Sequence, residues 1–537
     1  MEWNLGDLLD GVGRVLPGDA PALIHGDSVL SWSELTARSN NLARHWIEQG
    51  ASPGDKVAFY MRNRVEYLVT LVAAFKARLV HVNVNYRYLE DELHYILDNS
   101  DARIVVFGDE FVDRIEHLRD RLPKVKAFVQ IGGTTPDFAE DFDTLGTTGD
   151  GTTLEIERSP DDLLFIYTGG TTGMPKGVMW RHGDLWGALG AGVNMPAHGG
   201  VSPATPQDHV AAIERFGPGS RMIVACPLMH GTGLLTAINN LLSGGCSITL
   251  TSAGFDAEEL FDTVERCQAE STVIVGDAFA KPMLNALETS PGRWKLDSLK
   301  VVMSSGVMWS QGVKQGLLEH HPSLMLADLF GSSEAVGFGA SVTTKESGVK
   351  TAKFQIGEDC RVFTEDHVPV EPGSGTRGFI ARKGPIPLGY YKDEEKTAKT
   401  FPTIDGVRYS VPGDWCTVEA DGTLNLLGRG SVCINSAGEK IYPEEVEEAL
   451  KTHAEVEDAL VVGLPDDRWG QAVTGVVALR AGSQADEAAL RDHVRERLAG
   501  YKTPKRIFQV EKMFRAPNGK ADYKGALAFA KQEAGLS

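Results

Sequence analysis

The clearest chemistry in the chain lies in a glycine- and threonine-rich stretch within residues 165–178, directly after an apolar segment. Glycines let backbone N–H groups approach an anion closely, and hydroxyl groups add further donors. The residue types predict a phosphate-binding loop made of Thr168, Gly169, Gly170, Thr171, Thr172, Gly173 and Lys176. It is not a Walker A loop, because no glycine directly precedes Lys176 and no serine or threonine directly follows it.

Two carboxylates and an arginine further along could hold other parts of a phosphate-bearing ligand. Glu334 ends the block 328–334, and a hard cation prefers carboxylate oxygen and few protein ligands. Asp414 follows a tight turn and is a suitable acceptor for two sugar hydroxyls. Arg429 is a planar donor for the same sugar or its phosphate. Taken singly, an acid after a strand or a Gly-Asp pair is more often an ordinary loop or turn feature than part of a site.

Three more segments carry candidate residues: one could border a flat aromatic base, one could contact a carboxylic acid, and one supplies a second cation. Residues 304–308 follow a predicted strand, and the missing side chain of Gly306 lets a flat base approach. His230 lies in a glycine-containing loop at 227–233, although a lone histidine is more often structural. Lys520 lies in a glycine-containing loop near the end of the sequence, where most lysines are solvated.

Alternating short apolar strands and amphipathic helices must position these residues. The pattern predicts parallel strands near 56–61, 80–84, 103–108 and 163–167 and a second set near 221–226, 246–250, 272–275 and 299–303. Short strands with Gly and Pro turns at 355–427 suggest a small β-barrel. We therefore predict an α/β fold, with a large domain at 1–428 and a smaller, mobile α+β domain at 429–537.

Composition excludes several classes of function. A chain of 537 residues exceeds one ordinary domain, and 42% hydrophobic with 23% charged residues is typical of a globular protein. The net charge of −20 argues against a nucleic-acid partner. The six cysteines form no C-x-x-C pair, which favours free thiols in a reducing cytoplasm. We expect no signal peptide and no integral membrane segment.

Taken together and in order, the motifs resemble those of the adenylate-forming enzymes, and among them the acyl-CoA synthetases. The likeness spans about residues 10 to 530 and includes 438–447, 498–505 and the Pro-x-Gly-Lys pattern around Lys520. Segments 179–182 and 428–435 resemble the actinobacterial-type ligases of fatty acids and sterol side-chain acids. Three departures look like features of this subgroup: Gly169 replaces a serine, Ser431 an Asp or Lys, and Lys440 an Arg.

The resemblance implies an ATP-dependent acid–CoA ligase that uses ATP, Mg²⁺ and CoA. A carboxylic acid would become acyl-AMP with release of pyrophosphate, and the CoA thiol would then displace AMP. The implied catalytic residues are Lys520, His230, Thr171 and Glu334, with Glu334 also holding the metal. The small domain would turn about a hinge at 430–431. The implied nucleotide site adds the loop residues above and Gly306, Val307, Met308, Asp328, Leu329, Phe330, Gly331, Ser332, Ser333, Asp414, Arg429 and Lys440.

Several alternatives stay open at this point. The chain could transfer the acyl group to a carrier protein, act as an oxygenase of luciferase type, or bind nucleotide without catalysis. No well-placed G-x-G-x-x-G motif follows an early strand, which disfavours a dinucleotide-dependent dehydrogenase. A homodimer is possible, and the acid is not specified. Asp277 could bind a polar group of the substrate, but we expect it to cap the helix that follows.

Overall fold

The computed structural model describes residues 3–168, 174–190, 203–307, 309–347, 353–429, 432–436, 439–466, 470–498, 500–516 and 519–536. Up to residue 190, strands alternate with helices. The elements are α1 (Leu5–Val15), β1 (Pro21–His25), β2 (Ser28–Ser31), α2 (Trp32–Glu48), β3 (Lys56–Tyr60), α3 (Val65–Lys76), β4 (Val80–Asn83), α4 (Glu90–Asn99), β5 (Ala102–Gly108), α5 (Val112–Arg119), β6 (Ala127–Ile131), β7 (Glu140–Asp141), α6 (Phe142–Thr147), β8 (Leu163–Thr168), β9 (Lys176–Arg181) and α7 (His182–Ala188).

The middle of the chain repeats the alternation and then changes to short strands. Between 203 and 347 the elements are α8 (Pro206–Phe216), β10 (Arg221–Val224), α9 (Gly231–Leu242), β11 (Cys246–Thr249), α10 (Ala257–Cys267), β12 (Ser271–Ile274), α11 (Asp277–Thr289), β13 (Val301–Ser305), α12 (Gln311–His320), β14 (Met325–Ser332) and β15 (Ala335–Thr343). Between 353 and 429 they are β16 (Lys353–Ile356), β17 (Cys360–Phe363), β18 (Gly378–Arg382), β19 (Gly389–Tyr390), α13 (Glu394–Thr400), β20 (Thr403–Ile404), β21 (Val407–Arg408), β22 (Asp414–Val418) and β23 (Leu424–Arg429).

The C-terminal part is a separate small α+β unit with its own apolar core. Its elements are β24 (Ile434–Ser436), β25 (Glu439–Ile441), α14 (Pro443–Lys451), β26 (Val456–Asp466), β27 (Gly470–Leu479), α15 (Glu487–Arg495), β28 (Arg506–Gln509) and α16 (Tyr523–Glu533). Two short 3₁₀ helices, Asp109–Phe111 and Gly500–Lys502, complete the described elements.

Two large sheets share one core, as the βαβ pattern predicts. The first has the order β19-β9-β8-β4-β3-β5-β6-β7. In this sheet the last six strands of that order, β8-β4-β3-β5-β6-β7, pair in parallel. The second has the order β17-β18-β22-β23-β16-β15-β14-β13-β12-β10-β11-β1-β2 and is parallel from β14 to β1. The core shared by the two sheets buries Trp46 of α2, Phe75 of α3, Trp180 of β9 and Trp186 of α7. The α/β fold class is confirmed.

The strands expected to form a small barrel continue the second sheet. Antiparallel pairing runs from β14 to β15, then β16, and on through β23, β22 and β18 to β17. This arrangement leaves the carboxyl ends of β12, β13 and β14 side by side, where parallel α/β sheets place their ligand sites. At one local position the sequence expectation is met in detail: Ser31 and Glu34 form the predicted capping box of α2.

Within the part of the chain that the structure describes, no helix is long and apolar enough to cross a membrane. All six cysteines are free thiols, and five of them are buried.

Candidate functional site

The antiparallel pair β8 and β9 forms the stem of the glycine-rich loop, with Thr168 opposite Lys176. Nζ of Lys176 lies 2.8 Å from Oδ2 of Asp393, and this hydrogen bond raises the pKa of Lys176. Lys176 is therefore a protonated cation held at the base of the loop by a carboxylate. Five of the predicted loop members lie outside the described residues: Gly169, Gly170, Thr171, Thr172 and Gly173.

Glu334 lies at the turn between β14 and β15, and three other parts of the chain fix its position. Its Oε1 accepts a hydrogen bond of 2.7 Å from the phenol of Tyr390, and its backbone carbonyl accepts one of 2.6 Å from Ser410. The indole N–H of Trp180 donates to the carbonyl of Ser333. The carboxylate is only 9% exposed and lines a cavity. Tyr390, which sequence reasoning missed, thus orients the predicted metal ligand.

The rest of the 328–334 block forms a cavity wall with one unsatisfied hydroxyl. Phe330 packs against Phe338 and Phe354 with ring centroids 5.2 and 5.1 Å apart. Leu329 and Gly331 line the same cavity. The Ser332 hydroxyl is buried without a hydrogen-bond partner among the described residues. Because buried polar atoms are normally satisfied, a ligand atom is the natural partner for this hydroxyl.

Gly306 follows β13 with a φ of 88°, a conformation that favours glycine. A Cβ at this position would meet the hydroxyl of Thr232 at 3.5 Å and project toward the cavity. Val307 also lines the cavity, and Met308 lies outside the described residues. Gly306 and Val307 therefore stand beside the cavity, where the sequence predicts a flat base.

Asp328 forms a buried ion pair that the sequence did not reveal. Its partner is Lys314 of α12, whose side chain is 1% exposed. Burial raises the pKa of Asp328, the Lys314 charge opposes that change, and Asp277 reinforces it. A lysine among the buried positions of α12, beside Val313 and Leu317, was the available signal. The Asp328 carboxylate is therefore paired with the Lys314 ammonium rather than left as an isolated buried charge.

The two residues expected at a sugar stand opposite each other. Asp414 begins β22, Arg429 ends β23, and their Cα atoms are cross-strand partners. Asp414 is 7% exposed and lines the cavity. The backbone of Lys440 belongs to β25, but the side chains of Arg429 and Lys440 lie outside the described part of the structure.

His230 and Lys520 come from different domains and meet at one place. His230 precedes α9 and is partly buried, and desolvation lowers its pKa to about 3, assisted by the positive charges of Lys520 and Arg87. Both His230 and Lys520 line the same cavity. At neutral pH His230 is therefore an uncharged imidazole beside a cationic side chain.

A short loop of the small domain presents Lys520. Its ends are joined by a hydrogen bond of 2.8 Å from the Ala516 N–H to the Lys520 carbonyl. Arg515 pairs with Asp458 at 2.5 Å and donates to the Gly519 carbonyl at 3.2 Å. Gly519 is buried at a φ of 79°, and a Cβ there would lie 2.6 Å from the Ala278 Cβ. Only glycine fits this close approach to the large domain.

Two more contacts join the small unit to the large one. Lys281 donates to the Glu457 carbonyl, and Arg377 donates to the Tyr501 phenol at 3.2 Å. Lys281, Glu457 and the Lys520 loop line the cavity, whereas Arg377 and Tyr501 do not. The predicted hinge at 430–431 lies outside the described residues.

The expectation that Asp277 caps a helix was wrong. The cap position of α11 is Gly276, and Asp277 is the first residue of the helix. Its Oδ1 instead accepts a hydrogen bond of 2.9 Å from the Ser310 N–H, which fixes the loop between β13 and α12. The partner lies 33 residues away, so local sequence gave no indication of it.

One cavity of about 1840 Å³ brings these groups together. It is lined by Thr168, His230, Gly306, Glu334, Asp414 and Lys520, among others. The described residues contain no group of three or more His, Cys, Asp or Glu side chains that could bind a metal by themselves. A single oriented carboxylate such as Glu334 fits a hard cation that takes its other ligands from phosphate and water.

Comparison with known proteins is consistent with this arrangement. The family model described as "AMP-binding enzyme" matches residues 12–391, and "AMP-binding enzyme C-terminal domain" matches residues 445–520. The Mycobacterium marinum medium/long-chain-fatty-acid–CoA/3-oxocholest-4-en-26-oate–CoA ligase is 41% identical over 534 residues, covering 97% of this chain and 96% of its own. The Rhodococcus rhodochrous 3-oxocholest-4-en-26-oate–CoA ligase is 40% identical, covering 100% and 97%.

Solved structures show the same fold at lower sequence identity. The anthranilate CoA ligase AuaEII with anthranoyl-AMP superposes with a TM-score of 0.85 at 21% identity, covering 100% of this chain and 98% of its own. ATP-bound MatB from Rhodopseudomonas palustris gives 0.80 at 24% identity, covering 98% and 99%. On its sequence matches over nearly the full length, the chain belongs to the family of AMP-binding enzymes.

Proposed function

We propose that this enzyme is an AMP-forming acid–CoA ligase. In the first step a carboxylate oxygen attacks the α-phosphorus of ATP, and pyrophosphate leaves with the electrons of the broken P–O bond. In the second step the CoA sulfur attacks the acyl carbon, and AMP leaves. The observation that carries the proposal is the joint placement of Glu334, His230 and Lys520 on one cavity formed by both domains. Relatives about 40% identical over almost the whole chain are acid–CoA ligases by name.

We assign the triphosphate to the glycine-rich loop and Glu334. Lys176 and the loop hydroxyls, including Thr171, would bind the outer phosphates. Glu334 would hold Mg²⁺, which when bound neutralises phosphate charge. Asp414 and Arg429 would bind the ribose, and Gly306 and Val307 would border the adenine. The aromatic wall at Phe330 and the Ser332 hydroxyl would complete the nucleotide site.

We assign the acid and the transition state to His230 and Lys520. The uncharged His230 imidazole can donate to or accept from the carboxylate without adding charge. Lys520 would stabilise the negative charge that develops as the carboxylate attacks phosphorus. Because Lys520 belongs to a unit of its own, we propose a large domain at 1–428 and a mobile domain at 429–537 that removes Lys520 before the thiol enters.

The acid is proposed to be a fatty acid or a bulky acid such as a sterol side-chain acid. That proposal follows the acids named for the two relatives above. The set of buried free thiols agrees with a cytoplasmic location. A homodimer stays a prediction that sedimentation of the purified chain would test.

A panel of acids tests the proposed function. Pyrophosphate and AMP release are measured with ATP and Mg²⁺, with and without CoA, across short to long fatty acids, aryl acids and sterol side-chain acids. CoA-dependent turnover with one class supports the ligase and identifies its acid. Acid-dependent pyrophosphate release that CoA does not accelerate would contradict it and favour transfer to a carrier protein.

A further inference from the structure

A channel leads away from His230 between α9 and the sheet strands β13 and β14. Four cavity-lining residues of α9 recur at helical spacing and share one face of the helix: Thr232, Leu235, Thr236 and Asn239. Ser243, at the C-cap of α9, lines the cavity just beyond them. Across the channel, exposed and partly exposed lining residues alternate along two strands: Val301, Met303 and Ser305 of β13 and Met325, Ala327 and Leu329 of β14. The positions between them are buried, although Ser304 and Asp328 also border the cavity.

The channel has a definite length and two different ends. Its near end lies at Ser305 and Gly306, where the acid carboxylate would react. Ser305 and Val301 are four residue steps apart along β13, which corresponds to about 13 Å. Along α9, the seven residue steps from Thr232 to Asn239 correspond to about 10 Å. The far end is open to solvent, because Met325 is 40% exposed and Glu270 and Pro218 are exposed cavity-lining residues.

The middle of the channel is apolar. Leu235, Met303 and Ala327 supply hydrocarbon surface from both walls. Thr236 adds no unsatisfied polar group, because its hydroxyl donates to the Thr232 carbonyl at 2.7 Å. An alkyl chain or ring system running outward from the carboxylate therefore meets a wall of matching polarity.

Polar groups line the far end of the channel. Asn239 differs from the neighbouring polar residues in the hydrogen bonding of its side chain. The Ser220 and Ser271 hydroxyls bond to each other at 2.9 Å, and the Ser243 hydroxyl donates to the Asn239 carbonyl at 2.9 Å. The Asn240 amide donates to Ser247 at 3.2 Å. The Asn239 side chain forms no hydrogen bond with any described residue, although a primary amide offers two donors and an acceptor.

We propose that Asn239 is a specificity-determining residue that binds an oxygen at the far end of the acid, about 10 to 13 Å from the reacting carboxylate. The inference rests on the proposed function. It narrows the substrate to long acids with an apolar middle and a distal hydroxyl or oxo group. A plain alkyl chain of the same length offers the Asn239 amide no hydrogen-bond partner, so the amide is left with hydrogen bonds to solvent at the open end.

A matched pair of acids isolates this contact. In 10-hydroxydecanoate a terminal hydroxyl replaces the terminal methyl of undecanoate, so the two acids have similar shape and length. We measure kcat/KM for CoA-dependent AMP formation with each acid. The ratio of hydroxy acid to undecanoate should fall about tenfold in Asn239→Leu, the size expected for one hydrogen bond of about 1.4 kcal/mol. Asn285→Leu, at an exposed position of α11 away from the cavity, should leave the ratio unchanged.

A binding measurement separates this inference from the proposed function. Non-hydrolysable acyl-AMP analogues carrying the two acyl chains are titrated calorimetrically into the original enzyme and Asn239→Leu. If neither acid supports CoA-dependent turnover but the analogues bind, the proposed function fails and the binding ratio still tests Asn239. An unchanged ratio in the variant, or no binding of either analogue, overturns the role of Asn239.

Discussion

The two regions that supply the candidate site hold their side chains in different ways. In the large region Glu334, Asp328 and Asp414 lie in or at the ends of strands, and each is less than a tenth exposed. In the small region Lys520 is exposed and lies in a short loop braced by Arg515 and by the fit of Gly519 against Ala278. The large region, called the framework below, holds these three carboxylates in place by burial. Lys520 is held in place because its loop packs against the large region.

The difference suggests how the proposed reaction is divided. Groups needed to hold nucleotide in both steps belong to the rigid framework, where positioning requires no reorganisation during reaction. The cation needed for only the first step is on a unit that can be withdrawn without disturbing them. The predictions that follow test this division from each side.

The largest effect is expected from removing the docked cation. Lys520→Ala should lower pyrophosphate formation from acid and ATP on the order of a thousandfold, because charge on the attacked phosphate loses its stabilising cation. Quenched-flow assay of acyl-AMP gives the rate. Lys524→Ala, at an exposed position of α16, is the matched control and should retain normal activity. Loss in both variants would point to a general effect of charge.

Removing the charge of Glu334 should weaken nucleotide binding in both reaction steps. It should also weaken metal binding, which matters for acyl-AMP formation. Glu334→Gln keeps the shape and an acceptor for Tyr390 but removes the charge. Acyl-AMP formation should fall about a hundredfold, and the Mg²⁺ concentration needed for half-saturation should rise. Magnesium titrations of the initial rate measure both.

Tyr390→Phe serves as the comparison for that variant. It removes only the hydroxyl group that donates to Glu334, so its effect should be smaller and in the same direction. An unaltered Mg²⁺ requirement in Glu334→Gln would remove Glu334 from the proposed metal site.

A smaller effect should follow from disturbing the docking contact rather than the lysine. Gly519→Ala adds a methyl group beside Ala278 at a positive φ, so the Lys520 loop cannot seat fully. Acyl-AMP formation should fall about tenfold, equivalent to roughly 1.4 kcal/mol. Thioester formation from supplied acyl-AMP should not change. Gly482→Ala has a similar φ in open space and controls for backbone strain alone.

The smallest effect concerns stability of the framework. Burial lowers the pKa of His182 to about 4 and that of His81 to about 3, against an ordinary value of about 6.5. As the pH falls, these two histidines therefore take up protons at a higher pH in the unfolded chain than in the folded chain. The free energy of unfolding should therefore decrease below about pH 6.5, by at most about 1.4 kcal/mol per pH unit for each histidine.

Urea titrations between pH 7.5 and pH 5 measure that decrease. His182→Gln should reduce the slope, whereas His117→Gln, at an exposed position, should not. A stability that stays constant over this range would contradict the burial of uncharged histidines in the framework.

Sequence predicted the elements and the order of the site motifs because both depend on local information. The capping box at Ser31 and Glu34 spans three residues, and the βαβ alternation follows from hydrophobic periodicity. The glycine-rich stretch could be recognised from its composition alone. These features require no knowledge of which distant segments meet.

The partners of the site residues were not predictable in the same way. Tyr390 lies 56 residues from Glu334, and Asp393 pairs with Lys176 across more than two hundred residues. For Asp277 the local pattern gave the wrong prediction. The carboxylate expected at a helix cap instead accepts a hydrogen bond from the backbone N–H of Ser310. Such pairings depend on how the two sheets and the small unit pack.

The central claim is that Lys520 is needed to form the acyl-AMP and is not needed for thioester formation once the acyl-AMP exists. The most direct measurement supplies preformed acyl-AMP and CoA to Lys520→Ala and follows acyl-CoA formation in a single turnover. The account predicts a rate within about twofold of the original enzyme, since Lys520 contributes only to the first transition state. A loss as large as that seen for acyl-AMP formation would contradict it.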